Sequence, residues 1–223
     1  MFDWNWSFTL EILPRLVAAT GYTLLAAGMG YLIAIFLGLF FLLLQRTPYW
    51  IVNRLVREFV EFVRSTPLVL QIFFFFFVGP QVGIRLSPWT SGMIAIGLHY
   101  ASYLSEVYRG GLDAVPKGQW EAALALNLST THTYFRIIIP QALSPSIAGM
   151  SNYLVGIFKD TPMLSVIGVT ELMHTANAIG AENYRFLEPY TLVGVIFLLI
   201  SLPTAAISKG FENWLRIKVG VQK

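Results

Sequence analysis

The sequence predicts an all-α integral membrane protein with five transmembrane helices and one helical cytoplasmic loop. Hydrophobic residues make up 56% of the 223 residues, charged residues make up 12%, and the mean hydropathy is +0.63. A soluble domain carries charged residues at about 25% of its positions, so this composition excludes an ordinary soluble protein. We therefore expect residues 1–223 to form a single transmembrane domain.

Long uncharged runs define the predicted spans, because a membrane-spanning helix needs about 20 consecutive apolar residues. When histidine is disregarded, five such runs occur, at 16–44, 65–84, 86–105, 137–158 and 189–208. The first run is longer than a bilayer requires, so we expect this helix to tilt or to extend beyond the hydrocarbon. Ser65-Thr66-Pro67 is typical of a helix start, with a capping hydroxyl and a proline in the first turn.

The first predicted span contains a stripe of small residues at every fourth position. These residues are Ala26, Gly30, Ala34 and Gly38. Small residues let a second helix approach closely. The pattern fits packing against another helix of the same chain at least as well as it fits contact with a second subunit.

The distribution of lysine and arginine orients the chain, because loops on the cytoplasmic side are enriched in both residues. Segments 45–64, 106–136 and 209–223 hold 11 of the 15 basic residues. The opposite side holds only Arg15, Arg85, Lys159 and Arg185. We therefore predict that the N-terminus lies outside and the C-terminus inside. These dispersed charges account for the formal net charge of +3, and they do not indicate a nucleic-acid partner.

The predicted cytoplasmic loop at about 115–136 is a polar, helix-prone insert between the third and fourth spans. Five of its residues recur with the spacing of one helix face: Trp120, Ala123, Leu124, Asn127 and Leu128. Ala122 and Ala125 keep the neighbouring surface thin. Asn127 suits the left-handed conformation that ends a helix, and Ser129 can cap the next one. Such a helix is suited to a groove on a partner protein.

The same loop carries a family resemblance. Glu121-Ala122-Ala123, a turn residue six positions after the glutamate, and then Ile137 and Ile139-Pro140 resemble the EAA loop of permease subunits in bacterial ABC importers. The family has glycine where this chain has Asn127, and leucine where it has Ile139. Asparagine is the next best residue at a left-handed position, and isoleucine has the bulk of leucine.

Three further segments extend the resemblance to the branch of permeases for polar amino acids. These segments are 61–68, 103–111 and 159–165, and together with the loop they cover most of residues 16–208. Segments 118–129 and 183–189 most resemble permeases for ectoine and hydroxyectoine. The resemblance implies a multi-pass permease of the bacterial plasma (inner) membrane that imports a small polar amino acid or a similar zwitterion by alternating access.

The resemblance also implies the partners. An ATPase dimer would dock on the coupling helix, an external solute-binding protein would deliver the cargo, and a second permease chain, identical or homologous, would complete the path through the lipid bilayer. The residues implied in ATPase coupling are Trp120, Glu121, Ala122, Ala123, Leu124 and Asn127.

The chain itself is not expected to be an enzyme. It contains no Gly-x-x-x-x-Gly-Lys-Ser/Thr loop, so we expect ATP and magnesium to bind to the partner ATPase. His99, His132 and His174 lack the spacing of a zinc site, and no metal or other cofactor is predicted.

Polar groups inside a bilayer are costly, and they commonly line an aqueous path. The candidates for a solute path are Gln71, His99, Tyr103, Lys159, Asp160 and Thr161. For His99, a packed and hydrogen-bonded histidine is favoured over a direct ligand. Lys159-Asp160-Thr161-Pro162 interrupts apolar sequence and admits two interpretations. One is a broken helix at membrane depth that offers both charges to a zwitterion. The other is an external turn with a local Lys159–Asp160 pair.

Two other functions are compatible with parts of the sequence. An ion-coupled secondary carrier would explain the polar residues in the spans, but such carriers are usually built from internal repeats, which this sequence does not show. A non-transporting structural membrane subunit would explain the spans but would not need a docking helix.

Overall fold

The chain is helical, without β-strands, over the residues that the structure describes. This computed structural model describes residues 4–219, with side chains at all of these positions except 211 and 215–219. The long helices are α1 (Trp6–Gln45), α2 (Trp50–Arg64), α4 (Pro88–Asp113), α7 (Ile139–Asp160) and α9 (Leu187–Val219). The shorter ones are α3 (Leu68–Phe73), α5 (Lys117–Ala125), α6 (Thr130–His132) and α8 (Leu172–Asn183). π-Helical turns cover Phe74–Val78 and Thr133–Ile138, and 3₁₀ turns cover Gly79–Val82 and Thr161–Ile167.

Two helices within the described residues are long and apolar enough to cross a membrane by themselves, namely α1 and α9 over Leu187–Trp214. Helices also form over the third and fourth predicted spans, as α4 and α7. α4 is less apolar because it carries polar residues that are buried between helices, such as Ser91, Ser102 and Ser105. The all-α membrane fold is therefore confirmed, whereas the count of five spans and their orientation remain predictions.

The second predicted span differs from a straight helix that starts at Ser65. α2 and the helical run Leu68–Val82 meet at an angle of 105°. Pro67 is the N-cap of α3 and no side chain caps that helix, so the predicted hydroxyl cap is wrong. The hydroxyl of Thr66 instead donates to the carbonyl of Val63 at 3.0 Å. At 1.5 Å per residue the run is about 22 Å long, which is shorter than the hydrocarbon core of a bilayer.

The small residues of α1 pack against α4 of the same chain. A Cβ on Gly38 would lie 2.9 Å from the carbonyl oxygen of Ala101, and one on Gly30 would lie 2.7 Å from Cγ2 of Ile96. The residue numbers on both helices rise together, so α1 and α4 run parallel. The stripe therefore serves packing within the chain.

α7 runs antiparallel to α4 and ends before it reaches the first turns of α4. We call the set of packed long helices the helical layer. A Cβ on Gly149 would meet Val107, and one on Gly156 would lie 3.1 Å from the hydroxyl of Tyr100. α4 begins about three turns beyond Tyr100, so α7 ends well short of that end of the layer. The 3₁₀ turn after α7 ends at Gly168, whose φ of 79° is left-handed.

α8 then continues towards the same end of the molecule as the start of α1. The backbone N–H of Leu172 donates to the hydroxyl of Thr23 at 3.0 Å, and Arg15 pairs with Glu182 at 2.9 Å. At the opposite end of the layer, Arg46 pairs with Asp113 at 2.5 Å. We call these two ends the Arg15 end and the Arg46 end. α7, the 3₁₀ turn and α8 together form one interrupted helical segment that runs from the Arg46 end to the Arg15 end.

Candidate functional site

Helix α5 projects from the Arg46 end, and its boundaries follow from local sequence. Pro116 is its N-cap, and Asn127 adopts a left-handed conformation with φ of 50° just after its end. The N–H of Leu128 donates to the carbonyl of Ala123 at 3.0 Å and closes the final turn. Ser129 then accepts a hydrogen bond from the N–H of His132 at 3.3 Å. The predicted left-handed conformation of Asn127 and the predicted helix cap at Ser129 are both confirmed.

The residues predicted for ATPase coupling separate into an inward and an outward set. Ala123 is 3% exposed, and Trp120 packs against the apolar cluster of Val115, Ile138 and Ala142. In contrast, Leu124 is 82% exposed, and Glu121, Ala122 and Asn127 are also exposed. The inward set attaches α5 to its own chain, and the outward set is available to a partner.

Trp120 also connects α5 to the segment that follows it. Its ring meets that of Tyr134 edge to face at a centroid distance of 5.3 Å. Leu112 near the end of α4 packs on the same apolar cluster. Because Ala142 belongs to α7, α5 is attached to both helices that lead into the interior of the layer.

A cluster of aromatic residues lies between α4 and α7. The rings of Tyr103 and Tyr153 are 5.2 Å apart, and those of His99 and Tyr103 are also 5.2 Å apart. Tyr100 joins them, with its ring 6.0 Å from Tyr153. Nδ1 of His99 is buried and has no hydrogen-bond partner among the described residues. Two of the predicted path residues, His99 and Tyr103, are therefore brought together.

A charged group lies on each side of this cluster. The hydroxyl of Tyr100 donates to a carboxylate oxygen of Asp160 at 2.6 Å. The guanidinium of Arg64 lies over the ring of Tyr103 at 5.2 Å from its centroid, within the range of a cation–π interaction. Arg64 also approaches Glu106, at 3.9 Å. Sequence reasoning missed Tyr100, Tyr153 and Arg64, although the spacing of Tyr100 and Tyr103 on one helix face is visible in the sequence.

Gln71 serves the bend between α2 and α3. Its Nε2 donates to the carbonyl of Val63 and to the hydroxyl of Thr66, both at 2.8 Å. The hydroxyl of Tyr103 donates to the carbonyl of Arg64 at 3.2 Å. The bonds to Val63 and Arg64 satisfy carbonyls in the last turn of α2. Gln71 is therefore adjacent to the cluster through the bend, and it does not lie inside it.

Lys159 and Asp160 line different surfaces. Lys159 is exposed and lines a cavity between α7 and α9, together with Pro162 and Ser201. Asp160 is bonded to Tyr100 on α4. Thr161 is fully buried, and its hydroxyl donates to the carbonyl of Phe158 at 2.8 Å. The tetrapeptide therefore lies among the helices, and Asp160 is its member that faces the aromatic cluster.

Glu106 and Arg109, at the Arg46 end of α4, form an ion pair. The hydrogen bond from Arg109 is the main cause that lowers the pKa of Glu106, and the nearby charges of Arg64 and Arg57 lower it further. The carboxylate of Glu106 is therefore ionised at neutral pH.

Comparison with known proteins agrees with this architecture. Residues 30–217 match the family described as the binding-protein-dependent transport system inner membrane component. The chain belongs to this family. It is 39% identical to the probable amino-acid ABC transporter permease protein y4tG of Sinorhizobium fredii, over 90% of this chain and 87% of that one. It is 32% identical to the glutamine transport system permease protein GlnP of Escherichia coli, over 96% of this chain and 99% of that one.

A solved structure extends the agreement to the fold. The crystal structure of an amino acid ABC transporter with histidines contains a chain that superposes with a TM-score of 0.90 at 25% identity. The match covers 95% of this chain and 99% of that chain. Membership of this family of binding-protein-dependent permeases confirms the predicted multi-pass location in a bacterial inner membrane.

Proposed function

We propose that this permease imports amino acids or amino-acid-like zwitterions and is driven by a partner ATPase dimer. The observation that carries the proposal is the division of α5 into an inward set, which attaches to α4 and α7, and an outward set headed by Glu121 and Leu124. A short helix with one exposed face has the form of a docking element. The proposed assembly also contains a second permease chain and an external solute-binding protein.

The proposed topology has five spans, with the N-terminus outside and the C-terminus inside. The Arg46 end faces the cytoplasm in this arrangement, and the Arg15 end faces outwards. The bias of lysine and arginine supports this orientation. α2 then lies near the cytoplasmic surface, and the short run Leu68–Val82 serves as the second span.

The proposed coupling uses α5 as a lever. Closure of the ATPase dimer on ATP and magnesium would move the outward face of α5. Trp120 would carry this movement to the cluster of Val115, Ile138 and Ala142, and so to α4 and α7. Both helices contribute aromatic residues to the interior cluster, so their movement changes access to it. This is alternating access without any catalytic residue in the permease.

The proposed solute path passes the cluster of Tyr103 and Tyr153. A zwitterion in a low-dielectric region needs a partner for each charge. Asp160 can receive a positive group on one side of the cluster, and Arg64 can receive a carboxylate on the other. We assign the binding of the solute's negative group to Arg64 and not to Lys159, because Lys159 lines a different surface.

The cargo is proposed at the level of its chemical class. The similarity to permeases named for amino acids and glutamine supports an amino acid. The resemblance of segments 118–129 and 183–189 makes ectoine and hydroxyectoine specific candidates. Glutamine, ectoine and hydroxyectoine each carry one positive and one negative group. Uptake of labelled glutamine and of labelled ectoine, each measured with the cognate binding protein, distinguishes them.

Co-purification of the ATPase tests the proposed function against its alternatives. We expect the tagged permease to retain an ABC ATPase from the native membrane in stoichiometric amounts. An ion-coupled carrier would be isolated without an ATPase and would transport on an ion gradient alone. A structural membrane subunit would be isolated without an ATPase and would not transport at all.

A further inference from the structure

A polar cavity of about 580 Å³ opens at the Arg46 end, outside the solute path. It lies between the end of α1, one side of α2, the end of α4 and the loop that carries α5. The residues that matter for its chemistry are Gln45, Arg46, Arg57, Arg109, Asp113 and Tyr134. The proposed coupling mechanism does not use this cavity.

The cavity has an excess of positive charge. Asp113 accepts from Arg46 at 2.5 Å through one oxygen and from Arg109 at 3.4 Å through the other. Arg57 has no carboxylate within 4.0 Å among the described residues. Glu106 lies beside the cavity and pairs with Arg109. Even when its carboxylate is included with that of Asp113, the three arginines of the cavity outnumber the carboxylates. The remaining charge is that of Arg57, and it attracts an anion.

Gln45 provides a second and independent indication of a ligand. Its side chain is 1% exposed and lines the cavity, yet neither atom of its amide has a hydrogen-bond partner among the described residues. A buried amide without a partner is costly. A ligand oxygen that reaches Nε2 of Gln45 would accept from it and satisfy the N–H half of this amide.

An apolar groove continues from the polar cavity. This groove has a volume of about 520 Å³, and Arg46 and Tyr134 line both spaces. Its other walls are mostly apolar residues of α1, α4 and α7, including Leu39, Leu43 and Leu143, which are exposed in the chain. The combined site is therefore polar and basic at the Arg46 end and apolar towards the middle of the layer.

We propose that this combined site binds an anionic glycerophospholipid. The phosphate lies in the polar cavity with Arg57, Arg46 and the amide of Gln45, and one acyl chain lies along the groove between α1 and α7. Basic cavities between transmembrane helices on the cytoplasmic side suit anionic headgroups. A free anion would use the polar cavity but would have no need of the groove. Because Tyr134 packs on Trp120, a lipid bound here supports the loop that holds α5.

Lipid titration of the purified full-length chain, read by native mass spectrometry, tests the proposal. We expect phosphatidylglycerol to bind more tightly than phosphatidylcholine with the same acyl chains. Arg57→Gln should weaken phosphatidylglycerol about fivefold, which is the effect of one basic residue near a headgroup. Arg54→Gln is the matched control, since Arg54 is exposed on the same helix but does not line the cavity. It should leave the affinity unchanged.

A second pair of variants tests the groove. Leu43→Trp fills it and should weaken phosphatidylglycerol, whereas Phe36→Trp changes an exposed position of α1 outside the groove and should not. Equal binding of the two lipids would overturn the proposal. Equal effects of Arg54→Gln and Arg57→Gln would overturn it in favour of general surface attraction. Displacement by equimolar inorganic phosphate, with no effect of Leu43→Trp, would overturn it in favour of a free-anion site.

Discussion

The hydroxyl of Tyr100, in the middle of α4, donates a 2.6 Å hydrogen bond to the carboxylate of Asp160, the last residue of α7. This bond holds the end of α7, where the helix is interrupted, against α4. It also places an acidic side chain beside the aromatic cluster of Tyr103 and Tyr153. In the proposed mechanism, a movement of α4 relative to α7 changes the surroundings of this carboxylate.

Asp160→Asn is expected to reduce transport. The variant keeps the shape of the side chain and removes the charge, and a hydrogen bond to a charged group contributes about 1.5–3 kcal/mol. We therefore expect uptake in proteoliposomes with saturating binding protein to fall about tenfold or more. Lys159→Gln is the control, because Lys159 lines a different surface, and it should transport normally. Equal uptake by Asp160→Asn and the native chain would exclude Asp160 from the path.

Glu121→Lys is expected to uncouple the permease. The side chain of Glu121 is exposed on the outward face of α5, and a reversed charge at a protein contact can cost several kcal/mol. Uptake and stimulated ATP hydrolysis should both collapse while the chain still inserts into the membrane. Glu58→Lys, which reverses an exposed charge on α2, should have little effect. Normal stimulated hydrolysis in Glu121→Lys would rule out α5 as the coupling element.

The topology can be measured by single-cysteine labelling, because the chain contains no native cysteine. Gln119 and Val82 are both exposed, and they lie on opposite sides of the membrane in the proposed orientation. An impermeant thiol reagent added to intact cells should label Val82→Cys and should not label Gln119→Cys. The reverse pattern would invert the proposed orientation and place α5 out of reach of a cytoplasmic ATPase.

Gly38→Ala is expected to destabilise the protein. The added methyl group would lie 2.9 Å from the carbonyl oxygen of Ala101, and such overpacking typically costs about 1–3 kcal/mol. Gly28→Ala is the matched control on the same helix, since a Cβ there meets no atom within 4 Å. Thermal unfolding in detergent should show a lower midpoint for Gly38→Ala only. Equal midpoints for the two variants would mean that α1 and α4 do not pack as closely as described.

Much of the helical layer could be predicted from uncharged runs, because lipid selects for apolar sequence over the length of a span. The bend before α3 could not be read in this way, since an uncharged run reports burial and not the direction of the backbone. Pro67 carried the relevant signal, because a residue before proline, here Thr66, is disfavoured in a helix. In the sequence alone, this proline is equally compatible with an ordinary first-turn position of a helix.

The local features of the candidate site could be predicted from the sequence, and its long-range contacts could not. Helical spacing identified the residues of α5, and the caps at Asn127 and Ser129 follow local rules that a sequence displays directly. Spacing could not show that Trp120 turns inwards, because an amphipathic face does not reveal which surface covers it. The contact between Tyr100 and Asp160 joins residues 60 positions apart, so only the packing of α4 on α7 reveals it.

The most direct measurement of the central claim is the energy source of uptake in proteoliposomes that contain the permease, its ATPase and its binding protein. We predict that amino-acid uptake requires ATP and magnesium on the side of the ATPase. We also predict that it persists when ionophores remove the proton and sodium gradients. Uptake without ATP that disappears when the ion gradient is removed would contradict the account and identify an ion-coupled carrier.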